Sequence, residues 1–293
     1  MKQRAAFVVF LLLSSPVLGQ ERSNETPLAV GKPSIPIYAS IVAKDGSTAT
    51  PAPEIFSVLL DKQHAQVTSV RPAKDEKLLF AVIVDVSGSR SPQAQSIKDA
   101  AFRIFQGLSS DRSQGYLVLL DQRVTPSNRP LNASEASEVQ TAIDKIGFGG
   151  GTALYDGIER TCTQTLGRSQ NPTTPRRILI LLSDGDDDYS HITLAKADEA
   201  AEREGVAVFS LATSPLSSQG EASLKQASKD TGGRAFFVNQ LSGGVVPLLA
   251  AIEGQSILNI VPSQAANQKL HSLVVRISEK DLSVSVPARI LLP

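Results

Sequence analysis

The sequence predicts an α/β fold: a doubly wound, mostly parallel sheet with helices on both faces, joined to a small β module built from the two chain ends. Three observations carry this. The run LLFAVIV, Leu78 to Val84, is too short to cross a membrane and has the length of a strand buried on both faces. From Leu78 to about Glu253, strand-like runs then alternate with amphipathic helical patterns, which calls for a sheet covered on both sides. The segments before and after that region return to short alternating β patterns.

Taken in order, residues 1–19 read as an export signal. Lys2 and Arg4 precede the apolar run Ala5 to Leu13, and small residues lead to a cleavage site after Gly19. A secreted or periplasmic location follows, with no membrane span once the signal is removed. Residues 20–77 read as an N-terminal β segment. Ser34 to Ala43 forms a strand that stops at the turn Lys44-Asp45-Gly46. Ile55 to Leu60 and Ala65 to Val70 form a hairpin turning at Asp61-Lys62. The formal glycosylation sequons at Asn24 and Asn132 read as chance.

Residues 78–253 read as the α/β domain. Ile97, Ala101, Ile104, Phe105 and Leu108 make one helical stripe, and Tyr116 to Leu120 is the next strand. Val139, Ile143 and Ile146 mark a helix before a glycine-rich loop. Leu154, Ile158 and Cys162 mark the helix after it, which places this single cysteine in the core and excludes an internal disulfide. Ile178 to Leu182, Val206 to Leu211 and Ala235 to Val238 are strands; Leu194 to Glu204, Leu224 to Lys229 and Val245 to Ile252 are helices. Residues 254–293 form a C-terminal β segment, with strands at Ile257 to Val261, Leu273 to Ile277 and Leu282 to Leu292. A lone hairpin buries too little to stand in water, so the two end segments are expected to pack together as one small sandwich.

The apolar run from Leu78 ends in Asp85-Val-Ser87-Gly-Ser89, which delivers a carboxylate and two hydroxyls to the carboxyl end of a core strand, where open α/β sheets bind ligands. Two later loops carry related groups: Thr152 in GFGGGTALYDGI and Asp184 in RRILILLSDGDDD. In order and spacing this set resembles the metal-ion-dependent adhesion site of von Willebrand factor A domains, whose first loop reads D-x-S-x-S and whose next two supply a Thr and an Asp. The β segment before it is similar to that of secreted bacterial proteins termed VWFA-related. The resemblance implies a Rossmann-like A domain in which Asp85, Ser87, Ser89, Thr152 and Asp184 hold Mg²⁺, or else Mn²⁺ or Ca²⁺. It further implies a partner protein whose Asp or Glu completes the metal's shell. Such chemistry suits the residue types, because hydroxyls are neutral donors that leave a hard cation electrophilic; the resemblance implies that Asp85 and Asp184 act largely through water and hydrogen bonds.

Lys plus Arg and Asp plus Glu each number 29, so no global field draws in nucleic acid. The run Asp184-Gly-Asp186-Asp187-Asp188 imitates a calcium loop but has Tyr189 where the sharp turn needs Gly; Asp186 to Asp188 are expected to form a solvated rim. Catalysis has little support. Ser87 lies outside any G-x-S-x-G elbow, Gly147 to Gly151 lacks the Lys of a phosphate loop, and His191 is expected to be an exposed loop residue. The sequence therefore points to a non-enzymatic interaction module. The alternatives are a scaffold with a vestigial site and, more remotely, a metal-dependent hydrolase.

Overall fold

The computed structural model describes residues 34–131, 135–168, 176–263, 265 and 267–292. The export signal and both sequons lie outside these residues. The N-terminal β pattern becomes β1 (Ile35–Ala43), β2 (Phe56–Leu60) and β3 (Gln63–Pro72). β2 and β3 pair antiparallel through a two-residue turn in which Asp61 and Lys62 have φ of 45° and 69°. Two left-handed residues match the twist of a hairpin. The Asp61 side chain anchors this turn to the C-terminal strands: its Oδ1 accepts from Ser272 N–H at 2.9 Å and its Oδ2 pairs with His271 Nδ1 at 2.6 Å.

The middle of the chain gives β4 (Leu78–Asp85), α1 (Ala94–Leu108), β5 (Ser113–Leu120), β6 (Val124–Pro126), α2 (Ala136–Asp144), α3 (Leu154–Arg160), β7 (Arg176–Leu182), α4 (Leu194–Glu204), β8 (Val206–Thr213), α5 (Ser218–Asp230), β9 (Ala235–Val238) and α6 (Leu241–Glu253). The sheet order is β6-β5-β4-β7-β8-β9, parallel except for the edge strand β6. Every residue of β4 is buried. Because a strand alternates faces, Phe80, Val82 and Val84 pack with Ile97, Ile104 and Phe105 of α1 and with Val245, Leu248 and Ile252 of α6. Leu79, Ala81 and Ile83 face the other way, onto Leu154 and Ile158 of α3, Ala197 and Ala201 of α4 and Leu224 of α5. An uninterrupted apolar run is what such two-sided burial demands.

The order of the parallel strands positions the site. β4 hydrogen-bonds to β5 on one side and β7 on the other, so connections leave β4 and β7 in opposite directions. This opens a crevice beyond their carboxyl ends, the topological switch point of an open α/β sheet. Asp85 ends β4, and Asp184 follows β7 by two residues.

The tail folds into β10 (Gln255–Val261), β11 (Leu270–Ile277), β12 (Leu282–Ser285) and β13 (Arg289–Leu291). Together with β1 to β3 they make one seven-stranded antiparallel sheet, order β12-β1-β10-β3-β2-β11-β13. Two expectations are corrected here. Leu282 to Leu292 is two strands rather than one, because Pro287 lacks the N–H of a ladder residue. The expected sandwich is instead a single curled sheet with more strands than the α/β sheet, so the fold is not a plain doubly wound one. The chain imposes the curl. β11 and β12 lie five places apart, about 24 Å in a flat sheet, yet a connection the length of residues 278–281 spans at most about 17 Å. The curl encloses Ile37, Ile41, Val58, Leu60, Leu258 and Ile260.

Two polar junctions tie the sheets together. Arg176, buried at the start of β7, donates to the carbonyls of Ile252 and Ala73 and to Gln255 Oε1, and burial holds its guanidinium down to about 10. At the second junction, Arg289 of β13 forms a 2.5 Å ion pair with Glu202 of α4. One turn earlier on α4, Asp198 accepts from Gln226 Nε2 at 3.0 Å, and its other oxygen has no partner among the described residues. Burial, reinforced by Asp230 and Glu202, pushes Asp198 up to about 7 from 3.8.

Removing residues 255–293 takes away β10, which lies between β1 and β3, and leaves both with open edges. The truncated chain is expected to aggregate on size-exclusion chromatography; a monomer with protease-resistant residues 34–72 would contradict this. For Asp198, the native state keeps a proton that the unfolded state releases between pH 4 and 7. Its contribution to stability therefore declines as pH rises through that window and is level above it. Asp198→Asn is expected to flatten that decline and raise the Tm at pH 8 by several degrees in thermal melts across pH 4 to 8. An unchanged pH profile would contradict it.

Candidate functional site

At the end of β4 the chain places a carboxylate where no apolar partner can satisfy it. Asp85 is 0 % exposed. Its Oδ1 accepts from Ser87 N–H at 3.0 Å and its Oδ2 from Ser183 Oγ at 2.8 Å. Burial raises its pKa, an effect the Ser87 and Ser183 hydrogen bonds oppose and the charge of Asp184 reinforces. Asp85 is thus not on the rim: it is the floor of the site.

Above it, Ser87 Oγ and Ser89 Oγ stand 3.1 Å apart, and Ser89 Oγ donates to Asp184 Oδ2 at 3.4 Å. Ser87 is buried, Ser89 exposed and Asp184 intermediate, so the oxygens climb from the sheet to solvent. Ser87 precedes a short 3-10 turn, Gly88–Gln93, yet its side chain makes no capping bond there. Its hydroxyl is directed to the site instead.

The glycine-rich loop joins the other two through its backbone. Gly88 N–H donates to Gly150 O at 2.9 Å and Gly149 N–H to Val86 O at 2.7 Å, while Thr152 O accepts from Asp188 and Tyr189 N–H at 2.9 and 3.0 Å. Thr152 is buried between them. Four of the five sequence-predicted residues are therefore linked through side-chain contacts, and Thr152 through its main chain. Glycines permit this closeness. A Cβ on Gly151 would lie 2.0 Å from the Tyr189 ring, and Gly185, at φ +85°, would place one 2.2 Å from Gly220 O.

The acidic run is only partly a solvated rim. Asp188 is exposed, but Asp186 Oδ1 accepts from Ser217 Oγ, the N-cap of α5. Asp187 Oδ1 accepts from Tyr155 N–H in the first turn of α3 and from Ser190 Oγ. Both are half-buried and serve helix starts. His191 is an exposed loop residue, its side chain 86 % accessible, with Nδ1 2.8 Å from Asp156 Oδ2.

Sequence reasoning missed two residues. Ser183, the other hydroxyl on Asp85, also accepts from Gly185 N–H at 3.0 Å; its signal was its place between a core strand and Asp184. Arg90, directly after Ser89, is 3 % exposed, and its NH1 lies 3.6 Å from Asp184 Oδ2. Among the described residues no group of three His, Cys, Asp or Glu side chains is arranged to hold a metal. A cation here would depend on hydroxyls beside the two carboxylates.

No family model matches the sequence, and no curated protein matches it. Solved structures do. The von Willebrand factor type A protein from Catenulispora acidiphila aligns over 90 % of this chain and 74 % of its own, with 13 % identity and a TM-score of 0.51. Proximal thread matrix protein 1 from the mussel byssus aligns over 65 % of this chain at 17 % identity and a TM-score of 0.50. This chain spans about half of that protein's length (49 %). A further structure of the mussel protein, with a TM-score of 0.49, has a zinc-occupied MIDAS motif. At these identities the likeness concerns architecture alone: the chain has a von Willebrand factor A-like α/β fold.

Proposed function

We propose that this chain is an exported protein-interaction module of the von Willebrand factor A type. Its three loops hold a divalent cation, Mg²⁺ above others, and engage an acidic side chain of a partner protein. The observation that carries this reading is the oxygen spacing. Neighbouring ligands of an octahedral Mg²⁺ with bonds of 2.0–2.1 Å lie about 3 Å apart, and the Ser87 and Ser89 hydroxyl oxygens stand 3.1 Å apart, with Asp184 Oδ2 3.4 Å beyond Ser89 Oγ. All five candidate side chains offer oxygen, as a hard cation requires. Ser87, Ser89 and Thr152 would hold it directly, with Asp85 and Asp184 in support. Bound there, the cation supplies a Lewis-acidic position that a partner's carboxylate can fill.

The chain's own residues do the rest. Asp85 fixes Ser87 through its N–H and is itself oriented by Ser183. Binding rather than catalysis is supported by the partners of two of the histidines: His191 pairs with Asp156, and His271 with Asp61 and Asn267. Among the described residues no helix is long and apolar enough to cross a membrane. Export rests on residues 1–19. A second reading, a scaffold whose loops bind no metal, is favoured by one observation, the guanidinium of Arg90 beside Asp184.

Asp85→Asn keeps the shape of the floor while removing its charge. It is expected to weaken Mg²⁺ or Mn²⁺ binding about 10- to 100-fold by calorimetry. The Tm without metal should be unchanged or higher, because a buried charge is lost. Unaltered cation binding in the variant, or none by the parent at millimolar concentration, would overturn the proposal in favour of the scaffold.

A further inference from the structure

Arg90 is an unusual neighbour for a cation site. It leaves the 3-10 turn after Ser89 and runs inward, so its side chain is 4 % exposed. Buried arginines are ordinarily paired and hydrogen-bonded. Here the anion is Asp184, and the contact is loose: NH1 to Oδ2 is 3.6 Å, beyond hydrogen-bond length. Nε has no hydrogen-bond partner among the described residues. The same Oδ2 accepts from Ser89 Oγ at 3.4 Å. One carboxylate oxygen thus faces both a permanent monocation and a hydroxyl of the proposed divalent site.

We propose that Arg90 is the resident counter-ion of Asp184 and sets how tightly the loops take a divalent cation. The inference rests on the cation reading above and specifies its regulation. Asp184 cannot serve both charges fully. A divalent ion seated on Ser87 and Ser89 either draws Asp184 away and stands within a few ångströms of an uncompensated guanidinium, or leaves Asp184 to Arg90 and forgoes its negative charge. Each course weakens binding, and the Coulomb repulsion between a dication and a monocation at such separation amounts to at least about tenfold in affinity even with water-like screening. Occupancy is thereby coupled to the partner, since an incoming carboxylate offsets the excess positive charge that Arg90 contributes. Asp184 is in turn retained for a second reason, because without it Arg90 is buried with no anion.

The test is direct Mn²⁺ binding followed by electron paramagnetic resonance of the free ion, on the purified full chain and three variants. Arg90→Met keeps an unbranched stem and removes the charge; its Kd is expected to fall at least about tenfold. Arg90→Lys retains a basic side chain and is expected to tighten binding less than Arg90→Met does. If Arg90→Met does not fold by circular dichroism, Arg90→Gln is judged by the same criterion. Tight binding by the neutral variant where the parent binds measurably but more weakly supports the proposal. A parent that binds Mn²⁺ while the neutral variant binds no better overturns it and leaves the cation reading standing. Equal tightening by Arg90→Met and Arg90→Lys also overturns it, since the effect then comes from shape. No binding by any of the proteins removes both readings together.

Discussion

Burying the Asp85 carboxylate at the end of the central strand is the constraint on which the loops depend. A charge withdrawn from water must be met by donors at fixed positions. Ser87 N–H supplies one from its own loop and Ser183 Oγ one from the loop after β7. That second bond joins loops whose positions are 98 residues apart in sequence. Once they are joined, Ser89 and Asp184 have little freedom to separate, and the glycine-rich loop closes against both through main-chain hydrogen bonds. The site's polar groups are thus satisfied largely by one another.

This economy has a consequence for charge. Asp184 is close enough for its charge to disfavour ionisation of Asp85, and Arg90 brings a compensating positive charge beside Asp184. Asp85 and Ser89 each meet more than one polar group, whereas Asp184 is the one anion beside Arg90 among the described residues. Losing a member of such a network is costly. The α/β sheet supplies rigidity beneath: β4 is buried on both faces, and Phe80 packs on Phe105 with ring centroids 5.2 Å apart. The curled sheet is held at the opposite ends of the strands, through Arg176 at the start of β7.

What could be read from the sequence was local. The apolar run at β4 declares its own burial, and the Asp61-Lys62 turn lies between two alternating segments, so its hairpin is legible. The placement of Asp85, Ser87, Ser89 and Asp184 followed from strand ends. Pairing partners were not legible: β10 inserts between β1 and β3, a choice made by tertiary packing that period-2 alternation cannot specify. The edge strand β6 has three residues and ends in Pro126, too little pattern to register. Asp186 and Asp187 looked solvated because acidity does not reveal which N–H or hydroxyl a side chain will face. Arg90 was overlooked for a related reason, since arginine is rarely buried unless paired, and its pair stands 94 residues away.

A hard divalent cation is expected above Asp85, surrounded by Ser87, Ser89, Thr152 and Asp184. Anomalous scattering from a crystal grown with Mn²⁺ would locate it. One strong peak is expected within about 2.2 Å of the Ser87 and Ser89 hydroxyl oxygens, with the three loops otherwise unchanged. A map with no peak there, or a Mn²⁺ ion held only by Asp186, Asp187 and Asp188, would contradict it.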